Sequence, residues 1–405
     1  MSTRNLILFD DDNWRHLLPL TFVRPVSELR IGILTLREKW ERLLNAKASY
    51  ITQDHLADKY PVHLDNDNIL INSACLPTEK LMGYISKLKL NEAILNKEEF
   101  IAARLDRDHF DQIISGNTIE SINGIDISNE EHVIKKVCRP YHVFQYNGAE
   151  LVSDFNLVTK GRTSKEISQT NSVIGQHPVF LEEGVEMECC MINSKEGPIY
   201  IGKDAHIMEG AMIRGPIAIC ENAVVKMGAK LYNNTTIGPN CKVGGEIQNS
   251  VIFANSNKAH DGYLGNSVIC EWCNLGADTN TSNLKNNYDT IKLWSYPEES
   301  FLSTGLTFCG LIMADHSKTG INTMFNTGTV VGVCANIFGD GYPRNFIASF
   351  TWGGAAKFIT HQFIKAAETA KIVMARRGIE LSEADSKILE YVYYESAKYR
   401  PWDTN

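Results

Sequence analysis

The stretch Lys258-Ala259-His260-Asp261-Gly262-Tyr263-Leu264-Gly265 sets a histidine among turn formers, between two short apolar segments. An imidazole titrates near neutrality, so a loop histidine can take a proton from a nucleophile at physiological pH. An amine must be neutral to attack a thioester, and a base beside it is what acyl transfer requires. Loops also carry histidines that do no chemistry, so the role of His260 depends on its surroundings. A second stretch, Ala314-Asp315-His316-Ser317-Lys318-Thr319-Gly320, could supply a carboxylate–histidine pair for the same task. Cys270-Glu271-Trp272-Cys273 is a lone Cys-x-x-Cys. A zinc site needs a second ligand pair and none is spaced for it, so these read as structural thiols.

The elements that must position His260 repeat every six residues. Ile201, Ile207, Ile213, Ile219, Val225, Leu231, Ile237 and Val243 hold one phase. Four residues after each comes a mostly small set: Ala205, Ala211, Ile217, Ala223, Ala229, Thr235, Cys241 and Ile247. Helices repeat at 3.6 and strands at 2, so neither alone gives this period. A hexapeptide repeat is the mark of a parallel β-helix, with the aliphatic turned into the core and turn formers between. Val173, Val179 and Val185 start the pattern early. Cys189–Pro198 and Phe253–Tyr263 are expected to interrupt it, and Asn283–Thr304 reads as an extended polar loop carrying Trp294. Ile321, Thr327 and Val333 resume it, so the β-helix is placed at residues 166–352.

The chain before it alternates strand and helix, which predicts an α/β layer structure over residues 1–165. Strands are expected at Asn5–Phe9, Ser49–Thr52 and Asn68–Asn72, and helices at about Gly32–Asn45, Leu76–Lys89 and Tyr146–Lys160. Residues 96–135, with Arg104, Asp106, Arg107, Asp108, Gly116 and Gly124, read as a charged, irregular insertion. After the β-helix, residues 353–405 form a helical tail. One helix is expected over Ala355–Arg377, with His361 on it packed or solvated, and another follows a Ser382 cap.

The period-six run resembles the hexapeptide-repeat transferase family, which implies a left-handed β-helix. The order strand, acidic loop, Pro19-Leu20-Thr21, Arg24-Pro25, helix resembles the sugar nucleotidyltransferases, which join a sugar 1-phosphate to a nucleoside triphosphate with magnesium. Their loop uses glycine so that backbone N–H groups can approach the phosphates. Here it reads Asp10-Asp11-Asp12-Asn13, and carboxylates would repel a triphosphate unless a metal sits between them. Asp10 and Asp12 are therefore the candidate Mg2+ ligands. Arg24 matches the family's basic residue and could clamp a phosphate. Asn72 stands nearest to the family's magnesium-binding Asp. Either this domain is a divergent nucleotidyltransferase, or it keeps the fold and has lost the chemistry.

Both halves together, in this order, resemble the bifunctional N-acetylglucosamine-1-phosphate uridylyltransferase/glucosamine-1-phosphate acetyltransferase family. The resemblance runs through Lys258-Ala259, His260, Tyr263-Leu264-Gly265 and Asn274-Leu275-Gly276-Ala277-Asp278-Thr279 to Asn283. It implies that His260 is the general base, that Tyr263, Asn274 and Asn283 bind substrate, and that Ala277 and Thr279 line the acetyl-CoA side. It also implies a homotrimer. The sequence departs from the family by one residue fewer between His260 and Tyr263, and by Asp278 in place of a glycine.

A formal charge of −8 gives no general basic footprint, which argues against nucleic acid as a partner. No apolar run approaches a membrane span, and the first 30 residues lack a signal-peptide pattern, so a cytoplasmic protein is expected. Three functions compete. The first is acyl transfer from acyl-CoA to an amino-sugar phosphate or nucleotide sugar. The second is nucleotidyl transfer with a structural β-helix. The third is a non-catalytic nucleotide-sugar scaffold.

Overall fold

The computed structural model describes residues 5–114 and 122–403. Its chain divides into two compact units, one made of Met1–Leu17, Arg24–Leu29 and Leu34–Cys138, the other of Leu18–Val23, Arg30–Ile33 and Arg139–Asn405.

The first unit is built on six strands: β1 (Asn5–Phe9), β2 (Ala48–Ile51), β3 (Asn68–Asn72), β4 (Glu92–Asn96), β5 (Glu99–Leu105) and β6 (Asn123–Asp126). They stand in the order β2-β1-β3-β5-β4-β6. The β1 and β3 sequences are nearly continuous apolar runs, as suits strands covered on both faces, and they pair in parallel at the centre. Helix α1 (Leu36–Leu44) starts later than its periodicity suggests, because Thr35 and Glu38 form a capping box there. Short α2 (Asp54–Ala57) follows β2, and Thr78 caps α3 (Glu79–Lys87).

The expected irregular insertion is instead β5, α4 (Arg107–Ile114) and β6. Its charges misled because they sit at a strand edge and a helix start. Arg104 pairs with Asp67 at 2.7 Å, and the Asp106 carboxylate accepts from the His109 N–H at the head of α4. Gly124 lies in β6, while Gly116 falls outside the described residues.

The second unit is a three-sided parallel β-helix. One face carries nine strands from Val179–Leu181 to Phe346–Ile347. A second runs from Ser172–Gly175 to Tyr263–Gly265, and a third from Glu186–Met187 to Asn257–Lys258. The aliphatics of the six-residue phase fill its interior. The two expected interruptions are absent. Met191–Ser194 and Asn257–Lys258 are strands in register with their neighbours. What changes there is the turn length, so the inward positions become Ile247, Ile252, Lys258 and Leu264 while the coil continues.

One corner repeats a left-handed residue in each coil: Asp204, Asn222, Asn240 and Asn255, then Trp272, His316, Cys334 and Phe350. Asn and Asp adopt this conformation at low cost, and the larger residues that follow are held there by the stack. The polar loop after Asn283 carries an antiparallel hairpin, Lys292–Ser295 against Ser300–Ser303.

Residues 139–165 pack with this second unit. In α5 (His142–Thr159) the buried Asn147 accepts from Thr236 Oγ1 at 3.1 Å and donates to the Asn234 carbonyl at 2.9 Å. In the tail, Phe358–Thr360 is a strand antiparallel to Thr351–Gly353, and α6 (Phe363–Ala375) begins only after it. Gly353, at φ 132°, turns the chain back, which helical periodicity alone did not register. His361 therefore precedes the helix, buried, with Nδ1 at 2.9 Å from the Cys334 carbonyl. Ser382 caps α7 (Glu383–Glu395). Among the described residues, no helix is long and apolar enough to cross a membrane.

Candidate functional site

His260 stands exposed on the turn between Asn257–Lys258 on one face and Tyr263–Gly265 on the next. Two features hold that turn. Gly244 and Gly245 in the coil beneath let it approach. A Cβ on Gly245 would lie 2.9 Å from the His260 carbonyl and 2.8 Å from that of Gly262, and Gly245 has a φ of 71°.

The second feature is Lys258. It occupies an inward position in register with Val243, where the repeat elsewhere places an aliphatic, and it is 2% exposed. Its ammonium donates to the carbonyls of His260 at 2.6 Å and Asp261 at 3.0 Å. Burial lowers its pKa to about 8, against the opposing pull of Asp261 and Asp278. In the sequence Lys258 stands out only as part of the Lys258-Ala259 motif. Its signal is local: Lys258 stands six residues after Ile252 and six before Leu264, in the column that those two aliphatics define.

Tyr263 and Asn283 are brought together. Asn283 Nδ2 donates to the Tyr263 hydroxyl at 3.0 Å and to Asn266 Oδ1 at 2.8 Å, and the same hydroxyl donates to Gln248 Oε1 at 3.1 Å. Gly265 makes room, since a Cβ there would lie 2.3 Å from the hydroxyl oxygen. Burial raises the pKa of Tyr263, so the phenol stays protonated at neutral pH. Asn274 sits on the adjoining face, exposed and bridged between Asn257 and Lys318. Thr279 is fully buried, with Oγ1 2.7 Å from Thr319 Oγ1 and donating to the Gly276 carbonyl at 2.8 Å, so its side chain faces the prism interior. Ala277 is half-buried, beside the exposed Asp278.

His316 has a different setting. It is one of the left-handed corner residues, 9% exposed, with its ring parallel to Trp272 at 6.2 Å. Its carbonyl accepts from Lys318 Nζ at 2.8 Å. The lysine-to-turn-carbonyl device thus occurs twice, once under an exposed histidine and once under a buried one. Cys270 and Cys273 are both buried, and the Cys273 thiol donates to the Ala314 carbonyl at 3.1 Å.

In the first unit Asp10 and Asp11 of the acidic run are held by protein donors. The Asp10 carboxylate accepts from Val26 N–H at 3.2 Å, Thr52 Oγ1 at 2.7 Å and Gln53 Nε2 at 3.3 Å, while burial raises its pKa to about 6. Asp11 accepts from Lys136 Nζ at 2.6 Å and Asn72 Nδ2 at 2.9 Å, and Lys136 also meets Glu99. Asp12 is exposed at the start of a 3-10 turn, and Arg24 is 5% exposed. Among the described residues no three His, Cys, Asp or Glu side chains converge as a metal site. Asp10 and Asp12 do not form a ready-made magnesium site: Asp12 is exposed, Asp10 is held by three protein donors, and no third such ligand converges on them among the described residues.

Lys136→Met would leave Asp11 and Glu99 facing each other without their shared cation. We expect a loss of roughly 2 kcal/mol in urea unfolding at pH 7, below the range for fully buried pairs because both carboxylates are partly exposed. The pairing lowers the pKa of Asp11, so this stabilisation is complete above the usual aspartate pKa. It is lost as pH falls through the lower folded value, and the gap between variant and wild type should close there. A gap that persists at low pH would assign the effect to packing instead.

Comparison with known proteins agrees with the family expected from the sequence. Residues 6–163 match the family described as Sugar nucleotidyl transferase. The chain is 26% identical over 224 residues to a bifunctional sugar-1-phosphate nucleotidylyltransferase/acetyltransferase of Sulfurisphaera tokodaii, covering 54% of this chain and 51% of that one. It is 35% identical over 106 residues to the bifunctional protein GlmU of Methanococcus aeolicus, covering 26% and 25%. It is 33% identical over 118 residues to that of Methanocaldococcus jannaschii, covering 29% and 26%. The chain thus spans about half the length of the first relative and about a quarter of the other two.

Proposed function

We propose that this chain, with a sugar nucleotidyl transferase-type first domain and a parallel β-helix, is an acyltransferase of sugar-nucleotide metabolism. Its β-helix transfers an acyl group, acetyl for preference, from acyl-CoA to the amine of an amino-sugar phosphate or nucleotide sugar. The observation that carries this reading is the exposed His260 on a turn anchored by a buried lysine, next to the Tyr263–Asn283–Asn266 network.

In the step, the amine nitrogen attacks the thioester carbon, an N–C bond forms and the C–S bond breaks. His260 takes the amine proton, which leaves on the thiol product. Tyr263 and Asn283 offer hydrogen bonds to the acceptor. Asn274 lies on the adjoining face, where the thioester would approach past Ala277. Thr279 contributes as a support of the coil. In this reading His316 is a corner residue.

The relatives' names include nucleotidyl transfer, and at Asp10–Asp12 this chain offers no ready-made magnesium site for it. We expect no pyrophosphate release from UTP, Mg2+ and glucosamine 1-phosphate, and measurable release would restore that activity. The flat face bearing the exposed Met191 and Met212 supports association by rotation into a trimer, checked by light scattering. The cysteines form no disulfide among the described residues, which fits the reducing conditions of a cytoplasmic protein.

The test of the main reading is CoA release from acetyl-CoA with glucosamine 1-phosphate and a panel of amino-sugar nucleotides. Release that requires one acceptor names the substrate. Release with none, from folded protein, removes the acyl reading.

A further inference from the structure

A groove of about 680 Å³ opens beside the Tyr263–Asn283 network. Asn280 and Thr281 pair in register with Met324 and Phe325, so Asn283 stands level with Thr327, which lines the groove. The chain leaves that column after Asn283 and returns at Cys309, whose N–H donates to the Asn283 carbonyl at 2.9 Å. The excursion between carries Lys285, Lys292, Trp294 and Phe301, all on the groove wall.

The floor is aromatic. Trp294 stacks on Phe346 at 4.2 Å with the rings 12° apart, and Phe301 meets Trp294 edge-on at 5.4 Å. Phe301 is 41% exposed, so a flat ring can lie against it. The rim is cationic. Lys285 donates to the Thr290 carbonyl at 3.1 Å, and Lys292 and Arg344 have no hydrogen-bond or ion-pair partner for their side chains among the described residues. No carboxylate stands among the residues that line the groove. Three like charges around an apolar floor repel one another, and a ligand of opposite charge relieves that repulsion. Phosphate alone has no use for the aromatic floor, and an uncharged aromatic ring has none for the cations. A flat heterocycle carrying phosphates uses both.

We propose that this groove binds a nucleoside diphosphate, its base on the Trp294–Phe301 floor and its phosphates between Lys285, Lys292 and Arg344. That group occurs in a nucleotide sugar and, as an adenosine diphosphate, at the end of an acyl-CoA. The adjacency to Asn283 assigns it to the acceptor, and this assignment alone rests on the acyl-transfer reading. The acceptor is then a nucleotide sugar rather than a free sugar phosphate.

The experiment is calorimetry on the full chain with UDP, ADP, CoA, pyrophosphate and glucosamine 1-phosphate, without acyl donor. Lys292→Ala, Arg344→Ala and Phe301→Ala are each expected to weaken UDP or ADP binding about tenfold or more, with the circular dichroism spectrum unchanged. Pyrophosphate and glucosamine 1-phosphate should bind at least about tenfold more weakly than UDP. The proposal is overturned if no nucleotide binds at millimolar concentration, if the three variants bind as wild type does, or if pyrophosphate matches UDP. Tighter UDP than CoA upholds the groove and the acceptor assignment. Tighter CoA upholds the groove and moves its ligand to the acyl carrier. His260→Ala should leave all these affinities unchanged, so a failure of transfer and a failure of this site are read separately.

Discussion

His260→Ala is expected to reduce acyl transfer by about 10²–10⁴-fold in kcat, with KM for the acceptor changed little. The reason is geometric. The side chain projects from a turn whose backbone is fixed by Lys258 below and by Gly244 and Gly245 beneath it, so replacing the imidazole leaves the turn in place. Among the described residues the exposed ring makes no hydrogen bond that a truncation would break, and stability should hold within about 0.5 kcal/mol.

His316→Asn is the matching control. Asparagine suits the left-handed conformation that it already takes at Asn240 and Asn255 in the same corner, so activity should stay within a few-fold of wild type. CoA release measured on the two variants side by side decides between the histidines. If the His316 variant loses the activity and the His260 variant keeps it, the site has been placed on the wrong turn.

The two histidines were not separable by sequence. Both are preceded or followed by lysine, aspartate and glycine within a few residues. What separates them is where each falls in the coil, and that needs the register. His316 pairs its N–H with the Glu271 carbonyl in the corner stack, while His260 sits past the end of a strand. The β-helix itself was legible because burial in a narrow prism forces one aliphatic per face, and that demand shows as a period. The phase failed where turns shorten. Ile247 and Ile252 are five residues apart, yet the strands that carry them still stack in register with their coils.

In the first unit, apolar β1 and β3 were plain, but β5 was hidden by the charges of Arg104, Asp106 and Arg107 at its end. The donors that hold the acidic loop are not legible in the sequence, because spacing does not show which groups meet a carboxylate. Thr52 lies 42 residues from Asp10, and Lys136 lies 125 from Asp11. Such partners are invisible to spacing.

The lysine in the core gives the other large effect. Lowering the Lys258 pKa from 10.5 to about 8 means that the folded state opposes its charge by about 3 kcal/mol, partly offset by the two carbonyls it reaches. Methionine is of similar length and apolar, and can fill the same column beside Val243. Lys258→Met should therefore be as stable as wild type at pH 7 or more so, by up to about 2 kcal/mol.

The pH dependence has a defined sign. Because the folded pKa is below the unfolded one, wild-type stability gains from Lys258 as pH rises from about 8 to 10.5, and that gain is lost as pH falls through about 8. The methionine variant lacks the gain, so its advantage should be full at pH 7 and small at pH 10. Activity should move the other way. With no ammonium to hold the carbonyls of His260 and Asp261, the turn is free to shift, and a displacement of about 1 Å in a base can cost roughly 100-fold. Urea denaturation at both pH values together with kcat tests the pair of effects. A variant that is less stable at pH 7 while keeping its full kcat would mean that Lys258 serves the core, not the turn.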